Sequence, residues 1–524
     1  MTLKRYTAAN RYHGYMMITT PPSKKSTCRS WLVATLILVG CTLAAPAVAD
    51  LQDDVGQAIR IAGFEKAIVA VSVRDAQTRE PIVSLNDIEL MIPASNMKLL
   101  TTGTALHVLG ADFEFKTKLL RDGERLIVVG DGDPAFGDPD LLELMQLGEF
   151  DGLDVEQFVN LWVDSIVKAD IKHFDEIVVD DRIFDREFVH KDWPVDQLNR
   201  RYCAEVAGLN FHRNVLQFFP RHIPGSRPDI RLFRPHAPWL EVINQGTTRQ
   251  GPSERDSAWV ARKLGTNDLT FHGNIKGSYR KPVTVTVHDM PSFFAQLLAD
   301  RLRNAGVEVS LHRTAEAHEP ESNGQPIGPM ITTPISTIVT RRNRDSQNLY
   351  AEALIKRVGV AMTNEPGSWL NGAAIVRLIV HERIGNPNLA RRIVVSDGSG
   401  LSRKNRVAAA TITAWLQTFV SNDRTSEVFV QSLAVGGKSG TLKNRFRNVD
   451  LHGAVVRAKS GYIKHVSCLS GYVITPDGRK RSFSILVNGL TEPDAVSHAK
   501  RMQERIVAAI AWDMAPAVVQ VPSD

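Results

Sequence analysis

Hydrophobic residues alternate with polar ones along some stretches of this chain and recur at helical spacing along others. Residues 66–75 (KAIVAVSVRD) alternate as a strand does, and residues 81–86 (PIVSLN) supply its hairpin partner. Two apolar segments, at 465–475 and 483–489, also have strand character. A buried helix that begins near Ser95 is predicted from leucines at helical spacing, namely Leu99, Leu100, Leu106 and Leu109.

The first 49 residues have the pattern of a secretory signal. Six basic residues and no acidic residue precede an apolar run at 31–42, and Ala47-Val48-Ala49 follows. We predict cleavage near Ala49 and export of the mature protein to the periplasm. Two alternatives stay open. Residues 31–49 carry no charge and are nearly long enough for a retained membrane anchor, and residues 38–41 (LVGC) resemble a lipobox that would make Cys41 a lipidated N-terminus.

Composition and charge exclude several classes of protein. The 524 residues are 43% hydrophobic, which suits two to four globular domains. Six of the 63 Lys and Arg residues lie in the leader, which leaves 57, equal to the 57 Asp and Glu residues. A nucleic-acid partner is therefore not predicted. Cys203 and Cys468 either form one disulfide or stay buried thiols, and no Cys/His spacing indicates a zinc site.

Ser95-Asn96-Met97-Lys98 has the pattern S-x-x-K at the start of the predicted helix. Three residues of helix bring the lysine back to the face of the serine, where a neutral amine can take the hydroxyl proton. The N-terminus of a helix also favours negative charge that develops nearby. The pattern alone is weak, because the chain repeats it from Ser165, Ser278 and Ser497.

Two further motifs follow downstream. Ser346-Gln347-Asn348 matches S-x-N at the start of a predicted helix, although Ser or Asn there is also a common N-cap. Lys-Ser-Gly occurs twice, at 438–440 and at 459–461. Glycines and a charged stretch flank the first copy, whereas the second is followed by an apolar strand, and a catalytic triplet must be held rigidly on a sheet edge that faces the cleft. We assign Lys459-Ser460-Gly461 to the site and Lys438 to a turn.

The ordered motifs S-x-x-K, S-x-N and K-S-G make the chain similar to the penicillin-binding proteins and serine β-lactamases. It most resembles the D-alanyl-D-alanine carboxypeptidase/endopeptidase group related to penicillin-binding protein 4, peptidase family S13. Further stretches carry this resemblance: GDGDP at 130–134, VVDDRIFD at 178–185, GLNFHRN at 208–214, DGSGLSRKNR at 397–406 and GTLKNRF at 440–446. The resemblance covers residues 50–515 and implies an α/β (α+β) fold, in which the catalytic domain has an antiparallel sheet flanked by helices.

The separation of the motifs predicts that the catalytic domain is interrupted. About 250 residues lie between Ser95 and Ser346. We therefore place this domain at 50–112 and 335–515, with an inserted β-rich part at 113–334 and a tail at 516–524. Strand-like runs such as RLIVVG, EIVVDD and VTVTVHD alternate with polar turns in the insert, and the polar segment at 316–329 predicts a linker. The resemblance implies two modules in the insert.

Residue chemistry and the resemblance together imply an acyl-enzyme mechanism. Ser95 attacks a D-Ala-D-Ala bond or a D-amino-acid cross-link of a peptidoglycan stem peptide. Lys98 acts as the base, and Lys459 lowers its pKa by like-charge repulsion. Ser346 passes the proton to the leaving amine, and Asn348 holds Lys98 and the substrate amide.

The K-S-G strand is expected to bind the substrate and its developing charge. Lys459, Ser460 and Gly461 suit the terminal carboxylate, and the backbone N–H groups of Ser95 and Tyr462 would form an oxyanion hole. Ser460 stands where the family usually has threonine, and Tyr462 where a small hydroxyl residue is common. Both changes preserve the chemistry but alter side-chain preference.

Two rival functions use the same motifs. One is a serine β-lactamase, and the other is a catalytically inactive peptidoglycan-binding protein. We expect β-lactam antibiotics to be covalent inhibitors, and we expect neither a cofactor nor a metal. DGSGLS is interpreted as a turn without a catalytic role. The sequence does not decide between carboxypeptidase and endopeptidase action, nor does it indicate an oligomeric state.

Overall fold

The computed structural model describes residues 50–147, 150–248 and 256–516. The predicted signal at 1–49 and nearly all of the predicted tail lie outside these ranges. Within them, no helix combines the length and the apolar character needed to cross a membrane.

The first part of the described chain contributes two helices and a hairpin. The elements are α1 (Leu51–Ala62), β1 (Ile68–Asp75), β2 (Pro81–Leu85), a short 3-10 turn (Ala94–Asn96) and α2 (Met97–Leu109). Asp50 caps α1 by accepting a hydrogen bond from Gln52 N at 3.2 Å, and Gly63 ends it with a φ of 66°. The predicted hairpin and the predicted helix are therefore present.

The central part contains many short strands and three helices. In chain order they are β3 (Glu114–Asp122), β4 (Arg125–Val129), α3 (Pro139–Leu142), β5 (Gln146–Leu147), β6 (Phe150–Asp151), α4 (Val155–Lys168), β7 (His173–Asp180), β8 (Val215–Phe218), β9 (Phe233–Arg234), β10 (Val242–Asn244), β11 (Thr247–Thr248), β12 (Ser257–Arg262), β13 (Leu269–Ile275), β14 (Val283–Thr286), α5 (Met290–Asn304), β15 (Glu308–Thr314), β16 (Gln325–Pro326) and β17 (Ile331–Pro334).

The last part supplies most helices and the remaining strands. They are α6 (Ile335–Arg344), α7 (Asn348–Thr363), α8 (Trp369–Ile384), α9 (Pro387–Ala390), α10 (Ala409–Leu416), α11 (Arg424–Ser432), β18 (Ala434–Val435), β19 (Val455–Ile463), β20 (Val466–Ile474), β21 (Lys480–Asn488) and α12 (Ala495–Asp513).

One antiparallel sheet joins the two ends of the described chain. Its strand order is β18-β19-β20-β21-β1-β2, and β1 pairs with β21 from Ile68 opposite Asn488 onward. Alternation along β1 turns Val71 and Val73 toward α1 and α12, whereas Ala70 lies on the face covered by α2, α7, α8 and α10. The prediction of an antiparallel sheet flanked by helices is confirmed.

The central part has its own hydrophobic core and a more mixed architecture than the sequence suggested. Its largest sheet has the order β15-β7-β4-β3-β16, with β17 also paired to β3. The pairs β4–β7 and β7–β15 are parallel, and helices α4 and α5, which the strand patterns did not predict, bury Phe158, Trp162 and Phe294 in this core. The domain boundaries at 113 and 334 stay predictions.

Candidate active site

Ser95 lies in the 3-10 turn that precedes α2, between a strand and a loop that approach it closely. Ala94 takes a φ of 45° in this turn. A Cβ on Gly461 of β19 would lie 3.0 Å from Ser95 N, and one on Gly400 would lie 1.8 Å from the Ala94 carbonyl oxygen. Glycine at these two positions therefore lets β19 and the loop at 397–406 enclose the serine turn.

Lys98 lies one turn further along, on the same side as Ser95, as the S-x-x-K spacing predicts. Its buried ammonium donates hydrogen bonds to Ser95 Oγ at 3.1 Å, to Asn348 Oδ1 at 2.7 Å and to the Ser399 carbonyl oxygen at 3.0 Å. These three acceptors match the three donors of a protonated lysine, whereas a neutral amine has two donors and can accept the Ser95 proton instead. None of the other S-x-x-K serines that were named above is among the hydrogen-bond partners of Lys98.

The S-x-N motif contributes to the same cluster through both of its side chains. Ser346 has a φ of 60° just before α7, and its hydroxyl donates to Ser95 Oγ at 3.3 Å. Asn348 begins α7, and its Nδ2 donates to the Tyr202 carbonyl oxygen at 2.8 Å. Gln347 is the N-cap of α7 and caps it without a side-chain hydrogen bond, so the N-cap alternative for Ser346 and Asn348 does not describe this turn.

The two Lys-Ser-Gly triplets lie in different environments. Lys459 is buried on β19, and its Nζ donates to Ser346 Oγ at 3.0 Å and to the Ser460 carbonyl oxygen at 2.7 Å. The Ser460 hydroxyl donates to Thr441 Oγ1 at 2.8 Å. Lys438 lies exposed in a turn between β18 and a 3-10 helix. Geometry thus joins the second triplet, and not the lysine of the first, to Ser95.

Burial and neighbouring charge lower the pKa of both lysines in this cluster. Burial lowers the pKa of Lys98 well below its ordinary value, and the positive charges of Lys459 and Arg342 lower it further. The pKa of Lys459 falls to about 7, first through burial and then through Arg342. A lysine of low pKa can accept a proton near neutral pH, which is what a general base needs.

A loop that the sequence analysis left without a role completes the surroundings of Lys98. The Ser399 carbonyl accepts from Lys98, and the buried carboxylate of Glu352 accepts from the backbone N–H groups of Gly398 and Ser399, both at 2.8 Å. Burial raises the pKa of Glu352 to about 7. One signal was present in the sequence, because Glu352 lies four residues after Asn348 and so on the same face of α7.

The predicted oxyanion hole would lie where β19 approaches the turn that carries Ser95. Gly461 brings β19 against Ser95 N, as noted above. The Tyr462 side chain is 59% exposed, so it extends away from the core at the edge of the cleft. That the backbone N–H groups of Ser95 and Tyr462 together bind the oxyanion stays a prediction.

The two cysteines of the described chain are buried free thiols. Burial raises the pKa of each to about 12. Of the two alternatives that the sequence left open, the unbonded pair is therefore the correct one.

Together, the sheet and the cluster define a class of protein. This class has a penicillin-recognising serine acyl-transfer site. Its parts are a serine before a buried helix, a lysine of low pKa one turn later and a second lysine on the facing strand.

Comparison with known proteins places the chain within that class. Residues 51–509 match the D-Ala-D-Ala carboxypeptidase 3 (S13) family, and the chain belongs to this family. It is therefore a serine-type D-Ala-D-Ala carboxypeptidase by class, as the motifs predicted.

Individual relatives extend over nearly the same length. A D-alanyl-D-alanine carboxypeptidase from an Actinomadura species is 29% identical over 89% of this chain and 88% of its own. The D-alanyl-D-alanine carboxypeptidase DacB of Haemophilus influenzae is 24% identical over 83% of this chain and 88% of its own.

The solved structures agree on the fold. The crystal structure of penicillin binding protein 4 from Haemophilus influenzae has a TM-score of 0.68 at 21% identity, covering 86% of this chain and 98% of that one. The same protein in complex with a β-lactam gives a TM-score of 0.63 at 20% identity, with the same coverage.

Proposed function

We propose that this enzyme cleaves the D-Ala-D-Ala bond, or a D-amino-acid cross-link, of peptidoglycan stem peptides through an acyl-enzyme on Ser95. One observation carries the proposal: Ser95 Oγ lies 3.1 Å from Lys98 Nζ and 3.3 Å from Ser346 Oγ. The nucleophile thus has a base on one side and a proton carrier on the other.

Acylation follows from these contacts. Neutral Lys98 takes the hydroxyl proton as Ser95 Oγ bonds to the substrate carbonyl carbon. The resulting oxyanion accepts hydrogen bonds from the backbone N–H groups of Ser95 and Tyr462. The carbon–nitrogen bond then breaks, and the leaving amine takes a proton from Ser346. Lys459 donates to the Ser346 hydroxyl at 3.0 Å and can replace that proton.

Deacylation uses the same groups in reverse. Water takes the place of the leaving amine, bonds to the acyl carbon and gives its proton to Ser346, which passes its own to the Lys459 that lost one during acylation. Lys98 returns its proton to Ser95 Oγ as the acyl–oxygen bond breaks, and the enzyme is regenerated. Asn348 supports both steps, because it holds Lys98 through Oδ1 at 2.7 Å.

The K-S-G strand suits the free carboxylate of the substrate. Lys459 supplies positive charge at the floor of the cleft, whereas the Ser460 hydroxyl lies nearer to solvent beside that of Thr441, at 2.8 Å. Hydroxyl donors beside a cation match a carboxylate oxygen. A substrate of this kind lies outside the cytoplasm, which agrees with the proposed export after cleavage near Ala49.

Covalent labelling tests the nucleophile. A fluorescent penicillin should label the protein at Ser95, because the β-lactam presents its amide where the peptide bond would lie. Ser95→Ala should abolish the label, and Ser165→Ala, which changes another S-x-x-K serine, should leave it intact. Label that survives in Ser95→Ala would contradict the assignment. Purified cross-linked and uncross-linked muropeptides would then separate endopeptidase from carboxypeptidase turnover.

A further inference from the structure

A cavity of about 570 Å³ lies in the central part of the chain and contains none of the residues assigned to the cleft. The first residues of α3 and α4 and strands β8 and β14 contribute to its wall. Five basic side chains line it: Arg201, Arg213, Arg234, Arg280 and Lys281.

Three carboxylates, those of Asp140, Glu143 and Asp154, also line the cavity, so its basic side chains exceed its acidic ones by two, and most of the basic ones have no close partner in the described part of the chain. Within residues 50–147, 150–248 and 256–516, the side chains of Arg201, Arg234, Arg280 and Lys281 form neither an ion pair within 4 Å nor a hydrogen bond. Arg213 alone is paired, since its Nη1 donates to Asp140 Oδ2 at 2.9 Å. Cations that converge without partners raise the local potential, and an anion would lower it.

A buried histidine on the same wall has one unused nitrogen. His212 is fully buried, and its Nδ1 lies 2.9 Å from the Val215 carbonyl oxygen. That oxygen can only accept, so Nδ1 carries the proton and Nε2 is an acceptor. Nε2 has no partner among the described residues. An unsatisfied buried acceptor is costly, and a ligand N–H or O–H would satisfy it.

The backbone that places these groups takes an uncommon conformation. His212, Arg213 and Asn214 have φ values of 51°, 59° and 55° in succession, a left-handed run that costs free energy for residues other than glycine. The Asn214 side chain holds this run in place: its Oδ1 accepts a hydrogen bond from Phe211 N at 2.9 Å, and its Nδ2 donates one to the Glu205 carbonyl oxygen at 2.8 Å.

We propose that this cavity binds a second peptide of the peptidoglycan polymer, separate from the one that is cleaved. Its carboxylates would pair with the unpartnered arginines, and a backbone N–H would donate to His212 Nε2. A phosphodiester polymer could also pair with the arginines, but the proposed cleft already takes peptides of peptidoglycan, so a second peptide of the same polymer is the ligand that we favour. The inference rests on the proposed function, because it takes the same polymer as ligand.

The position of Arg201 links the cavity to the cleft. Arg201 adjoins Tyr202, whose carbonyl accepts a hydrogen bond from Asn348 Nδ2 at 2.8 Å. Consecutive Cα atoms are about 3.8 Å apart, so one short turn borders both sites. The cavity and the cleft are therefore bordered by neighbouring residues of the chain.

Binding to insoluble wall polymer tests the proposal. The full chain with Ser95→Ala, which prevents digestion, is sedimented with three polymers: peptidoglycan, the same glycan after an amidase has removed its peptides, and a phosphate-rich wall polymer. The double variant Arg234→Gln/Arg280→Gln removes two cavity charges. Lys263→Gln/Lys276→Gln is the control, since it removes two exposed charges of the same part of the chain outside the cavity.

We expect the arginine variant to bind peptidoglycan about tenfold more weakly, or about 1.4 kcal/mol, and the lysine control to bind as the parent does. Peptide-free glycan should bind weakly to the Ser95→Ala parent, to the arginine variant and to the lysine control. The proposal would be overturned if the arginine variant bound peptidoglycan as tightly as the parent does, or if the parent preferred the phosphate polymer.

Penicillin acylation, measured on the same variants with Ser95 intact, separates this proposal from the proposed function. No acylation of wild type would refute the proposed function, and acylation lost only in the arginine variant would place these residues in the cleft.

Discussion

Replacing one lysine of each triplet provides a matched test of the site. Lys459→Met keeps the apolar stem but removes an ammonium that is fully buried and donates to Ser346 Oγ at 3.0 Å and to the Ser460 carbonyl at 2.7 Å. Loss of one preorganised electrostatic contact in an active site costs roughly 3–4 kcal/mol, or about 10²–10³ in rate. We expect penicillin acylation to slow by about 10²-fold or more.

Lys438→Met is the control, because Lys438 lies exposed in a turn. Surface substitutions of this kind change stability by only about 0.5 kcal/mol, and the acylation rate should stay within about twofold of wild type. Both variants are first compared by thermal unfolding, since a partly unfolded protein would imitate a catalytic loss. Equal acylation rates for two folded variants, or a slow Lys438 variant beside a normal Lys459 variant, would refute the assignment.

The pH dependence of the same variant tests the electrostatic argument. The pKa of Lys459 is lowered to about 7, so this lysine is charged at lower pH and opposes protonation of Lys98. Without it, Lys98 should take up its proton at a higher pH. The acidic limb of the acylation profile should therefore move to higher pH in Lys459→Met. An unchanged limb, or one that moves to lower pH, would show that like-charge repulsion does not tune the base.

Three further predictions concern other parts of the molecule. Glu352→Gln should slow penicillin acylation by about tenfold. The reason is that an amide has one acceptor oxygen for the two loop N–H groups that the carboxylate holds. An unchanged rate would show that the loop at 397–406 has no part in the mechanism. Cys203 and Cys468 are buried thiols, so a maleimide should label both only after denaturation, as mass spectrometry would reveal. The mature N-terminus should lie near Asp50 by mass spectrometry, whereas an intact leader would exclude cleavage and acyl chains on Cys41 would establish the lipoprotein alternative.

The side chains of the site were predictable because their spacing is local. Lys98 follows Ser95 by three residues across the start of α2, a spacing that places both on one side of a helical turn. Ser346 and Asn348 lie two residues apart at the start of α7, so they are close in space for any conformation of that turn. The choice between Lys438 and Lys459 followed from the flanking patterns, since an apolar strand next to Lys459 indicates a rigid sheet position.

The parts that were missed depend on contacts that leave little trace in a sequence. Lys98 uses the Ser399 carbonyl oxygen, and every residue type has a carbonyl, so the motif search had nothing to detect. Helices α4 and α5 were overlooked because short strand patterns dominate their surroundings. The basic cavity joins residues that are far apart in sequence, from Arg201 to Lys281, and only the fold brings them together.

The sheet that unites both ends of the chain also sets the order of events during synthesis. β1 begins at Ile68, and its partner β21 ends at Asn488, which is 420 residues later. At a synthesis rate of about 5–20 residues per second, β1 lacks that neighbour for roughly 20–80 s. Ser95 meets Lys459 only in this final stage, whereas the central part can form its own core beforehand. The chain therefore acquires its acyl-transfer chemistry last, after nearly all of it has been made.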